Sequence, residues 1–238
     1  MLLLTLLTTG ILTVETNGNS IIFSCSSWDR MKPPPILYLP SPRRENESME
    51  SVTKRLTQVD ITEMTRSLPY EFEGGRTISF FRKQDMDGAS GGLQNFASVT
   101  IPPDWDRVLL LFFPAGNDGS YKIYPLRDDR EHAPYGSYQF VNLSHQPLEG
   151  FIDKTQISLK AWGSSIIKFA GNEPRPLDFG VWTTINGKRK WLQRNTLTYR
   201  PSKYLVYFFY SDMDQMGRMK IESRGIVDFR KPVTAEQQ

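Results

Sequence analysis

The side chains that most often do chemistry in proteins are sparse in this sequence. It has two histidines, His132 and His145, and one cysteine, Cys25. The histidines lack the short spacing that aims two imidazoles at one metal ion. The Gly-x-Ser-x-Gly match, Gly88 to Gly92, lies in a glycine-rich stretch that we interpret as a flexible turn and not as a nucleophile elbow. Cys25 lies near the N-terminus, where no base is preorganised beside it. We therefore predict no catalytic, metal-binding or cofactor-binding residues, and a protein that is not an enzyme.

Paired carboxylates are the catalytic arrangement that leaves no local motif, because a glycoside hydrolase can take two acids from any two strands. The candidate pairs are Asp85 and Asp87, Asp128 and Asp129, and Asp212 and Asp214. All of them fall in predicted turns, where aspartate commonly accepts hydrogen bonds from turn backbone and stays in water. A two-carboxylate hydrolase is therefore kept as an alternative hypothesis.

Aromatic rings are the remaining resource for binding, because their flat apolar faces can stack on a sugar. Trp105 follows two prolines and Trp162 precedes a glycine, so each lies at a strand end. We predict that these two are exposed and are the candidate ligand-stacking residues. Trp182 and Trp191 lie within predicted strands and are expected in the core. The densest basic cluster, Lys188 to Lys190, is interpreted as a solvated hairpin tip.

The elements that must position these residues are short β-strands. Beyond Leu68, β-branched and aromatic runs are separated by Gly, Pro, Asn and Asp. Val108 to Phe113 is a continuous apolar run, typical of a strand buried on both faces. Asn186-Gly187 between two runs predicts a type I′ hairpin. This pattern predicts an all-β fold, an antiparallel immunoglobulin-like β-sandwich divided into two small units, with a single sandwich as the alternative.

The N-terminus carries a compartment signal. Met1 to Val14 is an uncharged apolar run, far shorter than the ~20 residues of a membrane-spanning helix and similar to a signal-peptide core. It predicts export to the periplasm or cell surface, with cleavage after Gly18 or after Ser26. Cys25 follows a segment loosely similar to a lipobox and is the candidate lipidation site, with a free thiol as the alternative. Membrane attachment is expected only if Cys25 is lipidated.

A proline-rich segment follows the predicted leader. Lys32 to Arg44 contains five prolines, which fix φ and remove backbone donors, so we expect an extended, poorly paired tether. The boundary between the two units is placed in the polar stretch 127–135. The predicted order is a leader (1–26), a tether (27–47), a first β-sandwich unit (48–130), a second β-sandwich unit (131–230) and a C-terminal tail (231–238).

Charge limits the class of partner. The net charge is only +3, from 29 basic and 26 acidic residues that are interspersed along the chain. This balance argues against nucleic acid as a partner. A single cysteine permits no disulfide within the chain, so stability must come from core packing.

Three segments carry a resemblance to a known group of proteins: 108–114, 121–126 and 135–144. Together with Leu148 to Asp153 they resemble an uncharacterised family of exported bacterial β-sandwich proteins, over about residues 96–169. In that family a Gly-x-Tyr-x-Phe-x-Asn-x-Ser segment precedes a short strand pair. The resemblance implies the fold and export, and none of its positions is a known catalytic residue.

These observations lead to one functional hypothesis and two alternatives. We expect a non-catalytic exported interaction or structural protein of the bacterial cell envelope, with an unknown envelope protein or polysaccharide as partner. The first alternative is a carbohydrate-binding module that uses exposed aromatic residues. The second is the two-carboxylate glycoside hydrolase.

Overall fold

The computed structural model describes residues 20–28, 36–40, 56–63, 65–83, 93–114, 121–213 and 219–230. In this part of the chain the regular elements are all β-strands, which confirms the all-β prediction. No helix in these residues is long and apolar enough to cross a membrane. The strands are β1 (Ile21–Ser27), β2 (Leu37–Pro40), β3 (Leu56–Val59), β4 (Thr62–Glu63), β5 (Tyr70–Phe72), β6 (Thr77–Lys83), β7 (Leu93–Thr100), β8 (Arg107–Pro114), β9 (Tyr121–Arg127), β10 (Ser137–Leu143), β11 (Leu148–Ile152), β12 (Thr155–Leu159), β13 (Ser164–Lys168), β14 (Arg175–Ile185), β15 (Lys188–Tyr199), β16 (Lys203–Met213) and β17 (Met219–Phe229).

Four sheets contain these strands. The first inner sheet has the order β4-β1-β8-β9, with β5 also paired to β1, and the first outer sheet is β3-β2-β6-β7. The second inner sheet is β13-β10-β16-β17, and the second outer sheet is β12-β11-β14-β15. The first pair of sheets uses only β1 to β9, and the second pair uses only β10 to β17. We call these pairs the first and second units.

Apart from the two-residue strand β4, which pairs parallel to β1, both units have the same strand topology. In each inner sheet the opening strand lies parallel to a late strand, β1 to β8 and β10 to β16, and that late strand is antiparallel to the last one. In each outer sheet all neighbours are antiparallel. The register also shifts at the same step, between Phe80 and Phe81 in β6 and between Val181 and Trp182 in β14. One sandwich topology therefore occurs twice along the chain.

Apolar side chains fill the spaces between successive sheets. The first unit's core includes Phe23 and Phe80, and the second unit's core includes Phe140 and Phe179. A third cluster joins the two inner sheets, and we call it the seam. Its fully or nearly buried members are Trp28, Leu109, Leu111, Leu126, Ala133, Val141, Leu143, Tyr204, Val206, Phe208 and Ile226.

The seam explains the continuous apolar runs in the sequence. In β8, Val108 and Leu110 pack in the first core, whereas Leu109 and Leu111 pack in the seam. A sheet covered on both faces needs apolar residues at successive positions. The two-sided burial predicted for this run is therefore observed, and the same alternation occurs along β16.

The hairpin between β14 and β15 has the predicted geometry. Ile185 pairs with Lys188, and the two residues between them, Asn186 and Gly187, have φ of 50° and 73°. Positive φ at both central positions is the signature of a type I′ turn. The prediction from Asn-Gly is confirmed.

The N-terminal segments are placed differently from their prediction. β1 lies inside the first inner sheet between β8 and the edge strands, whereas the sequence predicts a leader over residues 1–26. β2 lies within the predicted tether, yet it pairs with both β3 and β6. Trp28, also assigned to the tether, is only 6% exposed in the seam. The first unit therefore begins upstream of residue 48, because apolar residues in β1 and β2 complete its core.

Candidate functional site

Asp128 and Asp129, which the sequence predicts as solvated turn residues, both form ion pairs with arginines, and Asp128 is buried. The Asp128 side chain is 1% exposed, and Arg66 donates hydrogen bonds to both of its oxygens. Arg130 donates to Asp128 at 3.2 Å and to Asp228 at 2.7 Å. These ion pairs connect the segment between the units to Arg66 of the first unit and to Asp228 of the second. Asp128 is thus a structural anion, since its oxygens are occupied by guanidinium groups.

Asp129 has a local role. Arg127 and the His132 backbone N–H both donate to its carboxylate. Partial burial alone would raise the pKa of Asp129, but these hydrogen bonds lower it overall. Asp85, Asp87 and Asp214 lie outside the described residues, as does the side chain of Asp212.

The other candidate chemical groups lie apart from one another. Cys25 is completely buried in the first core, and burial raises the pKa of its thiol well above the ordinary value. Lipidation at Cys25 or cleavage after Ser26 would require β1 to leave the sheet, whereas cleavage after Gly18 would leave β1 whole. His132 and His145 are exposed on separate loops. The described residues contain no group of three or more metal-ligating side chains.

The Gly-x-Tyr-x-Phe-x-Asn-x-Ser segment has a structural explanation. Gly136 has φ of 83° at the start of β10, and Tyr138 and Phe140 point into the second core. The buried Asn142 amide donates to the carbonyls of Gln146, Leu159 and Lys160, and its oxygen accepts from Ser144. The alternating positions therefore build the core and fix two loops.

The two tryptophans predicted to stack on a ligand differ in exposure. Trp162 is 50% exposed, has φ of 60°, and packs edge-on against His145. Trp105 is half-buried against the first core, and Arg76 donates a hydrogen bond to its carbonyl oxygen. Trp105 is less accessible than we expected because the loop after Ile101 folds back onto the core.

The main exposed aromatic cluster lies instead on the second outer sheet. Trp182 and Trp191 are cross-strand neighbours with ring centroids 5.0 Å apart and an interplanar angle of 68°. Trp191 is 43% exposed, and Phe151 contacts its ring edge-on at 6.4 Å. Gly180 lies beneath these rings, since a Cβ there would lie within 3 Å of both Phe151 and Trp191. The missing side chain lets the two rings lean together over the sheet.

Charged side chains complete this surface. The Arg189 guanidinium lies 4.0 Å from the Trp182 ring centroid, and Arg194 lies 5.8 Å from that of Trp191. The Trp182 indole N–H donates to Glu149 at 3.0 Å. We call the surface formed by Glu149, Phe151, Trp182, Arg189, Trp191 and Arg194 the Trp191 face.

A shallow depression of about 200 Å³ adjoins the Trp191 face. Its lining includes Phe151 and Phe179 together with the polar residues Asp178, Arg194 and Asn195. A flat aromatic ring next to polar side chains can hold a ligand that has both an apolar face and hydroxyl groups.

Sequence reasoning missed the Trp191 face because of the β-bulge in β15. Opposite Val181 and Trp182, β15 has an extra residue, Leu192. Leu192 packs against the second core, and Gln193 accepts hydrogen bonds from inward-facing side chains. Two successive inward residues break the strand alternation and leave Trp191 on the outside.

The corresponding place in the first unit has no paired tryptophans. Its bulge aligns Phe81 with Trp182 and Asn95 with Trp191. Tyr38 pairs with Phe81 there, as Glu149 pairs with Trp182. The paired tryptophans are therefore a feature of the second unit alone.

Comparison of the sequence with known protein families and with curated proteins finds no match. The resemblance to exported β-sandwich proteins stays a prediction.

Proposed function

We propose that this chain is a non-catalytic binding protein whose contact surface is the Trp191 face. The observation that carries the proposal is Trp191, a large aromatic side chain that is 43% exposed on a regular sheet instead of being buried in the core. It has neighbouring arginines on both sides. Tryptophan and arginine are the residues most enriched at the energetic centres of protein interfaces.

The arrangement of the rings favours a protein partner over a planar sugar array. Trp182 and Trp191 are tilted by 68°, so they offer no coplanar platform for successive sugar rings. Arg189 also covers one face of Trp182. A mixed aromatic and arginine surface of this kind fits a partner with apolar and acidic side chains. An exported partner in the bacterial envelope follows from the predicted leader.

Site-specific photo-crosslinking tests the proposal, and the repeated topology supplies a matched control. Thr196 is an exposed residue of β15 beside the Trp191 face. Thr100 is its exposed counterpart in β7, because Asp178 pairs with Thr196 as Thr77 pairs with Thr100. A benzoylphenylalanine at each position is irradiated in the native cells, and the envelope and cytoplasmic fractions are separated.

We expect a discrete cross-linked product from position 196 in the envelope fraction and none from position 100. Trp191→Ala should remove the product, because loss of a central interface tryptophan costs about 2 kcal/mol or more, roughly 30-fold in affinity. Trp162→Ala, at the other exposed tryptophan, should leave it unchanged. Equal products from both positions, or none from position 196, would contradict the proposal.

A carbohydrate ligand is a second candidate, favoured by the polar depression beside Phe151. Asp178 and Asn195 lie where they could contact hydroxyl groups of a ring that stacks on the aromatic cluster. Sedimentation of the purified protein with insoluble peptidoglycan tests this alternative. Retention in the pellet that is lost in Asn195→Ala would favour it, and absence from the pellet would exclude it for this polymer.

A further inference from the structure

A second cavity lies away from the Trp191 face, where the two units meet. It is a cleft of about 550 Å³. The first unit contributes β1, the segment around Leu68 and the start of β8, and the second unit contributes the end of β17. The segment between the units adds Arg130 and Tyr135. Ligand sites commonly occupy such junctions, because two rigid bodies can present groups from several directions.

Positive charge dominates the lining of this cleft. Four arginines line it, Arg66, Arg107, Arg130 and Arg230, together with the single carboxylate Asp228. Asp128, buried behind Arg66 and Arg130, supplies the only other carboxylate in contact with these arginines among the described residues. Four guanidinium groups face two carboxylates, so the cleft has an excess of two positive charges.

Two of the four arginines are fixed by ion pairs, and the other two are not. Arg66 and Arg130 are held in place by Asp128, and the Arg130 guanidinium also lies 4.1 Å from the Tyr204 ring centroid. By contrast, Arg107 and Arg230 are exposed at the mouth of the cleft and form no ion pair with any residue that the structure describes.

Arg66, although it is paired with Asp128, also has N–H groups that a ligand could use. A guanidinium has five N–H groups, and Arg66 uses only two of them on Asp128. Its Nε–H is buried and has no hydrogen-bond partner among the described residues. Buried donors are almost always paired, so this N–H is available to an acceptor oxygen of a ligand.

The rim of the cleft is apolar. Leu68 is 81% exposed and Phe229 is 50% exposed, and both line the cleft beside Pro69. Such large apolar side chains are normally covered when they cluster at a concave site. A ligand that satisfies both the arginines and this rim has an anionic head and a short apolar group.

We propose that this cleft binds an organic oxyanion, a phosphate, sulfate or carboxylate that carries a short apolar group. The anionic oxygens accept hydrogen bonds from Arg107 and Arg230, whose planar guanidinium groups suit bidentate contact with such anions. The apolar group lies against Leu68 and Phe229. The site is independent of the Trp191 face, since none of that face's residues lines the cleft.

Isothermal titration of the whole protein with hexyl phosphate tests the site, with hexyl sulfate, hexanoate, inorganic phosphate and hexanol as further probes. We expect saturable binding of at least one hexyl anion at one site, weaker binding of inorganic phosphate and none of hexanol. Binding should weaken as the salt concentration rises, because exposed arginines are screened. No saturable binding of any hexyl anion up to millimolar concentration would overturn the proposal. Equal affinities for inorganic phosphate and hexyl phosphate would overturn the role of the apolar rim.

Variants locate the site. Arg107→Gln and Arg230→Gln should each weaken binding about 10-fold, and the double variant about 100-fold, since a charge-assisted hydrogen bond contributes roughly 1.5–3 kcal/mol. Both side chains lack ion-pair partners in the described structure, so these changes should preserve the fold. Arg82→Gln removes an exposed arginine from the first outer sheet, where it bonds to Gln94. Equal losses in Arg82→Gln and the double variant would show nonspecific attraction and overturn the site.

Discussion

Replacing Asp128 by asparagine should be among the most destabilising conservative changes in this chain. The side chain is 1% exposed and contacts Arg66 and Arg130, which are 20% and 26% exposed. Removing one partner of a fully buried ion pair costs about 3–5 kcal/mol, because the opposite charge is left without compensation. Water reaches the two arginines in part, so we expect the lower end, about 3 kcal/mol.

Asp228→Asn is the matched control for that change. Its carboxylate is 33% exposed and forms an ion pair with Arg130, so its loss should cost about 1 kcal/mol. Urea unfolding followed by circular dichroism gives both values, and the cost of Asp128→Asn should persist in 0.5 M salt because buried pairs are weakly screened. If Asp128→Asn costs no more than Asp228→Asn, the buried ion cluster does not hold the two units together as we infer.

Three further changes test the fold at separate places. Asn142→Ala should cost about 3 kcal/mol, since it removes the Asn142 donor from the buried carbonyl of Leu159 and from the partly buried bonds to Gln146 and Lys160. A cost under about 1 kcal/mol in thermal unfolding would refute this. Burial raises the pKa of Tyr138 to about 12 and that of Tyr204 still higher, so folded-state pKa values exceed the unfolded value of about 10. The stability that these two groups contribute should thus be complete below pH 10 and fall as the pH rises above it. The part of the 295 nm absorbance change that is lost in Tyr138→Phe and Tyr204→Phe should appear together with unfolding; its appearance near pH 10 in the folded protein would refute this. Gly187→Ala, at φ of 73°, should cost about 1 kcal/mol in the same unfolding assay, whereas Gly75→Ala, with open space around it, should cost less than half as much.

Local signals predicted the strands well. The continuous run in β8 and the Asn186-Gly187 turn each depend on residues that are neighbours in sequence, and both were identified correctly. Short-range turn chemistry and burial patterns can be seen in a window of a few residues. These local signals were sufficient to predict the all-β fold.

Features that depend on distant partners could not be predicted. Asp128 resembles a turn acid until Arg66 and Asp228 are placed beside its segment by the fold. Trp28 followed an apparent leader and preceded a proline run, so nothing local indicated that it completes the seam. The sequence does not indicate which strands of the two inner sheets pack against each other in the seam.

The Trp191 face could not be predicted from the sequence for a different reason. A strand with regular alternation would have placed Trp191 and Gln193 on one face, but the extra residue Leu192 turns Gln193 inward. A bulge is set by the pairing with β14 and leaves no clear mark in the residues themselves. The candidate site therefore became visible only from the register.

The proposed function depends most directly on the contact made beside Trp191. The decisive measurement is the yield of the photo-crosslinked envelope product from position 196, compared between the chain with Trp191 and its Trp191→Ala variant at equal protein levels. We predict a clear product that the variant loses, while position 100 gives none. A product of equal yield in the variant would contradict the account, because the contact would then not depend on the exposed ring.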